Sequence, residues 1–161
     1  MMKSYLVAMD KVNSVLKMLL VAFISIAFLA LLLQVFSRFV LQVPVSWTEE
    51  LSRFLMVWIT FIGASLAVRY HQLIRIEAIL NVVPRTAQIL IQAASSIILL
   101  VFCAVVFYYG LHVLKIVHMQ SSPALHIPMS IPYSAILVGC LLMFLNTVAG
   151  FIEMIQSKQG E

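Results

Sequence analysis

Charge is the scarcest property of this sequence: six acidic and ten basic side chains in 161 residues, 10% in all, where soluble proteins carry about 25%. With 63% hydrophobic residues and a mean hydropathy of +1.09, that scarcity excludes a water-soluble domain. Alternation is missing too. Runs such as LLLQVF and SIILLVFCAVVFYY do not switch between apolar and polar residues as the strands of a membrane barrel must. The fold class is therefore an all-α membrane protein, whose helices satisfy their own backbone hydrogen bonds. Cysteine is down to Cys103 and Cys140, both inside apolar runs and in no C-x-x-C pair. That excludes a thiol redox centre and leaves them as packing residues. The basic residues form no stripe with interleaved aromatics, so the net charge of +4 points to topology and anionic membrane lipid, and not to nucleic acid. With no linker, repeat or low-complexity segment, residues 1–161 read as a single integral membrane domain.

A helix that spans a membrane needs about 20 mostly apolar residues, and the gaps between charges locate four. Met18–Ser37, Phe54–Val68, Thr86–Leu114 and Ile116–Ile152 carry no Asp, Glu, Lys or Arg. The second gap is short and must borrow length from the stretch beginning at Ser46. The fourth is too long, but Pro123, Pro128 and Pro132 each remove a backbone donor in its first part. The expected spans are about 18–37, 48–68, 87–112 and 133–152. Ahead of the first, Tyr5, Met9, Val12 and Leu16 recur at helical spacing and suggest a short amphipathic segment on the membrane surface.

Orientation follows from the basic residues, which favour the cytoplasmic side. Lys3, Lys11, Lys17, Arg69, Arg75, Arg85 and Lys158 fall on the side of the termini, against Arg38, Arg53 and Lys115 on the other. Both termini are expected in the cytoplasm of a multi-pass protein of the bacterial inner membrane.

Little here can carry chemistry alone. His112 lies near a span end, and His71, His118 and His126 lie in loops, so two axial ligands on facing helices are not available for a haem or quinone anchor of a redox enzyme. An autonomous four-helix exporter would need a carboxylate in mid-span, and Glu49, Glu50 and Glu153 stand only at span margins. Neither enzyme activity nor a cofactor in this chain is expected.

The acidic pair Glu49–Glu50 therefore invites explanation. Ser46 followed three residues later by Glu49 has the form of a capping box. Trp47 suits the headgroup region, and Arg53 can pair with either glutamate along the helix. Further in, Glu49, Arg53, Met56, Thr60, Gly63 and Ala67 recur at heptad spacing. Most of the stripe is small or polar, the kind along which helices associate in lipid, whether on the chain's own helices or on a partner protein. Leu55, Trp58, Ile59, Ile62 and Leu66 make a bulkier face. Two loops complete the pattern. The segment from Arg69 to Arg85, with Arg75 and Glu77, mixes apolar and charged residues and is expected along the cytoplasmic surface. The segment Ser121–Tyr133, with Ser122, Pro123, Leu125, Pro128 and Pro132, reads as a stiff periplasmic loop suited to docking.

The stretch WTEELSRFLMVWITFIGA with Ala67 and Arg69, and the later SPALHIP and IPY, resemble the small (DctQ-like) membrane subunit of tripartite ATP-independent periplasmic (TRAP) transporters. One stretch departs from that family, which often has His-Ile-x-Val-Asp after the second span. Here Leu73 stands in the register of the histidine and Glu77 replaces the aspartate. The resemblance implies a system of three proteins: a periplasmic substrate-binding protein, a large multi-span permease subunit, and this small one. It also implies uptake of an organic acid, such as a dicarboxylate or sialic acid, driven by a sodium gradient that the assembled transporter uses. The small subunit would brace the large one and help dock the binding protein.

Overall fold

A computed structural model describes residues 2–43, 45–70 and 85–159. Helix α1 runs over Met2–Phe36 and continues into a π-helical turn, Ser37–Leu41. Helices α2 (Ser46–Arg69), α3 (Arg85–Val117) and α4 (Ser130–Gln159) follow. All four are long and apolar enough to cross a membrane, which makes this an all-α, multi-pass membrane protein.

Each boundary has a local cause. At the end of α1 the buried Ser37 donates its hydroxyl to the Val43 carbonyl (2.6 Å), and Gln42 turns the chain with a φ of 55°. This closes the connection to α2 within a few residues. Helix α4 starts at Ser130, three residues before the expected start. Pro132 is its third residue, where the first turn has no use for the missing N–H.

The N-terminal expectation needs correction. There is no separate amphipathic segment: α1 is continuous from Met2, and its 35 residues extend roughly 50 Å at about 1.5 Å each, well beyond a hydrocarbon core of about 30 Å. Met9 and Asn13 are buried, and Tyr5 donates to the Leu145 carbonyl at 3.0 Å. Its early turns therefore pack on α4 instead of lying on lipid.

The helices pack in the order α1, α2, α4, α3, with α2 and α4 in the middle. The seam between α2 and α4 is set by Gly139, where an added Cβ would fall 2.5 Å from Phe61 Cβ. Gly110 plays a similar part against Leu137 between α3 and α4. Cys103, Cys140 and Met143 form the buried cluster there, flanked by Phe61, Ala64 and Val106. The outer helices keep most of their apolar surface outward, as with Phe28, Leu29, Ile98 and Tyr108.

Candidate functional site

The head of α2 separates the two glutamates. Residues one apart on a helix differ by about 100°, so Glu49 and Glu50 cannot share a face. Glu49 points out and accepts from Arg53 at 2.8 Å, one turn along, with both side chains exposed. Glu50 points in and is only 8% exposed. One of its carboxylate oxygens accepts the backbone N–H groups of Ala124 (2.9 Å) and Leu125 (2.8 Å), and so fastens the loop between α3 and α4 to the top of α2. The capping box does not form. Val45 is the N-cap residue and no side chain caps the helix; Ser46 and Trp47 are exposed. Thr48 instead donates to the Val45 carbonyl at 2.7 Å, and Ser52 to that of Thr48 at 2.8 Å.

The loop has a fixed shape of its own. Ser122 N–H donates to the Ile127 carbonyl (2.9 Å), His126 N–H to that of Ser122 (3.2 Å), and Met129 N–H to that of Gln120 (2.9 Å), with Ser121 bridged to Pro128. His126 adopts a φ of 54° at the turn. These bonds leave the amides of Ala124 and Leu125 without a carbonyl partner inside the loop. The Glu50 carboxylate supplies it, and a charged acceptor makes the stronger kind of hydrogen bond. Ser122 is buried beneath the loop, Pro132 is buried in the first turn of α4, Leu125 is half-buried, and Pro123 and Pro128 are exposed.

Along α2 the two faces diverge further. Thr48, Ser52, Ile62, Ser65, Leu66 and Arg69 are buried, and Trp58 meets Phe23 of α1 edge to face. The bulkier face is thus the one that packs within the chain. The stripe of Glu49, Arg53, Met56 and Thr60 is exposed, with Gly63 and Ala67 half-buried. Nothing lies within 4 Å of a Cβ built on Gly63. Thr60 donates to the Met56 carbonyl (2.8 Å), which removes its polarity from the surface.

The opposite end of the molecule is held by polar residues of α1, α2 and α4, among them Asn13 and Asp10, which no sequence pattern singled out. Asn13 and Asn146 bond each other in both directions (2.8 and 3.1 Å), and Asn146 also donates to the Ser65 carbonyl (3.0 Å). This buried knot ties α1, α2 and α4. Asp10 accepts from Arg69 at 2.8 Å, and the Lys17 ammonium sits 3.8 Å above the Tyr70 ring. Arg69, expected on a surface segment, is the buried last residue of α2, because Asp10 of α1 offers it a partner. Arg75 and Glu77 lie outside the described residues. Among those described, no three His, Cys, Asp or Glu residues converge on a metal position.

The sequence has relatives among known proteins. The family model for tripartite ATP-independent periplasmic transporters, DctQ component, matches residues 27–157. The chain is 30% identical over 113 residues to the isethionate TRAP transporter permease protein DctMQ of Oleidesulfovibrio alaskensis, an alignment covering 67% of this chain but 18% of that much longer protein. It is 22% identical over 144 residues, 89% of either chain, to a TRAP transporter small permease protein of Haemophilus influenzae.

Proposed function

Since the chain belongs to the DctQ component family of tripartite ATP-independent periplasmic transporters, we propose that it braces a large multi-span permease subunit through the outward face of α2. In the same reading, it presents the 121–129 loop to a periplasmic substrate-binding protein. The observation that carries this is the division of α2. Its bulky face is consumed by the chain's own helices, while the stripe Glu49, Arg53, Met56, Thr60, Gly63, Ala67 is left outward with room at Gly63. Small stripes are what helices use to approach one another in lipid, where burying apolar surface gives no drive. The Oleidesulfovibrio relative supports the partner's identity, since its matching segment is one part of a long permease polypeptide.

The chemistry of transport falls to the partner. No span of this chain has an acid at its middle, so coupling to a sodium gradient and the binding of solute belong to the large subunit. The solute is a small organic anion: the family suggests a carboxylate, such as a dicarboxylate or sialic acid, and the relative named for isethionate extends the class to sulfonates. Both termini lie in the cytoplasm, which puts Glu50 and its loop at the periplasmic surface, where a soluble binding protein can reach them. Reconstitution into liposomes with a sodium gradient tests the assignment. Uptake should require this chain, the large subunit and the binding protein together; uptake by this chain alone would refute it.

A further inference from the structure

Between the last turns of α3 and the first turn of α4 lies a cleft of about 540 Å3, lined by Leu114, Lys115, His118, Ser130, Ile131 and Ser134. Its size falls within the roughly 300–1,000 Å3 of small-molecule sites. Neither the α2 stripe nor the loop latch uses these residues. The cleft has a basic side chain and no acidic one among the described residues. Among the described residues the ion pairs join Arg53 to Glu49 and Arg69 to Asp10, Glu50 is taken by loop amides, and the first turn of α4 contains no acid. No carboxylate among the described residues pairs with Lys115, which faces the cleft. His118 Nδ1 lies 3.2 Å from Ser130 Oγ, which holds the imidazole across the gap between the helices and leaves Nε2 for a ligand.

The Ser134 hydroxyl is given to the Ile131 carbonyl, but an ammonium and an imidazole nitrogen held by the Ser130 hydroxyl at one place suit a phosphate oxygen. The walls select the kind of phosphate. Leu114 and Ile131 line it, the latter exposed, and the residues stand at the ends of the spans Ala93–Val117 and Ser130–Ile152, the height at which headgroups lie. A free anion gains nothing from an apolar rim, whereas an amphiphile gains from both parts. We infer that this cleft holds the phosphodiester headgroup of an anionic phospholipid between Lys115, His118 and Ser130, with the acyl chains against the exposed apolar surface of α3. A lysine in the last turn of α3 also complements the helix dipole, but that effect is indifferent to lipid and involves neither His118 nor Ser130.

The test is native mass spectrometry of the full-length chain in mild detergent, offered equimolar phosphatidylglycerol and phosphatidylcholine. Retention of phosphatidylglycerol should be favoured roughly fivefold, as one basic residue beside anionic lipid supplies. The double variant Lys115→Gln/His118→Gln should abolish that preference; both side chains are exposed, so the fold is expected to survive. Ser130→Ala, which leaves the net charge unchanged, should weaken it by a smaller factor at unchanged helical content. Arg38→Gln, which removes another exposed cation, should leave it intact. The inference is overturned if the double variant keeps its preference, if Arg38→Gln lowers it as much, or if soluble glycerol phosphate displaces the lipid at equal concentration. The last result would make the site one for free anions.

Discussion

Helix α2 has two polar faces, and they differ in where their groups find partners. Inward, Asn146 of α4 reaches the Ser65 carbonyl and Arg69 reaches Asp10 of α1, so the face is joined to both neighbours. Outward, Arg53 closes on Glu49 and Thr60 on the Met56 carbonyl, so polarity is satisfied within the helix and the surface is left smooth. Polar residues at helical spacing in a membrane segment therefore do not identify the internal seam. Buried hydroxyls such as Thr48, Ser52 and Ser65 also close within the helix. What marks the internal seam is that some groups, Asn146 and Arg69, bond across to another helix, as neither of these bonds on the free face does. Adjacent glutamates fall on either side of that division.

The contrast is broken most forcefully at its glycines. Gly139→Leu drives a side chain into Phe61 and should destabilise the isolated chain by at least the roughly 1–3 kcal/mol typical of overpacking. Gly63→Leu meets open space and should stay within about 0.5 kcal/mol. Denaturation in mixed detergent micelles, followed by helical content, compares the two. A smaller effect is expected at the buried knot: Asn146→Leu strands Asn13 and should lower stability by about 1–2 kcal/mol, the upper range for polar contacts between membrane helices, and Asn13→Leu in that background should restore part of it.

At the head of α2 the expected effect is local. Glu50→Ala removes the acceptor of both loop amides and should speed proteolysis between residues 121 and 129 with the helices intact, whereas Glu50→Gln keeps a carbonyl oxygen and should have a smaller effect. Equal protection in all three proteins would mean that the loop holds itself. Smallest of all is Glu49→Gln. Its ion pair is exposed at both ends and is expected to contribute about 0–1 kcal/mol to the isolated chain.

Much of this was legible in the sequence, for reasons that also explain the misses. Four spans and their class follow from charge-free runs, because the hydrocarbon imposes both length and helicity. The heptad stripe was legible as a stripe, but spacing is silent on which face looks inward. That depended on Gly139 admitting Phe61, a contact between residues 78 apart in number that no local pattern encodes. The Ser46–Glu49 spacing matched a capping box, yet Glu49 found Arg53 one turn along instead. Glu50 could be seen to need a partner, though not that its partners would be backbone amides of Ala124 and Leu125. Asn13 and Asp10 were missed because they sit among lysines ahead of the first apolar run, where an amphipathic surface segment was the simpler expectation. Asn146 lies inside the fourth charge-free run, and it joins α4 to α1 and α2.

The central claim, that the outward face of α2 carries assembly with the large permease, is tested most directly by co-purification of that subunit with tagged Gly63→Leu. Ala104→Leu, at an exposed small residue of α3, serves as the control. The account predicts that Gly63→Leu recovers the partner roughly tenfold less well, the effect of about 1.4 kcal/mol, with the isolated chain as stable as before and the Ala104→Leu complex intact. Undiminished recovery with Gly63→Leu, or an equal loss with Ala104→Leu, would contradict it.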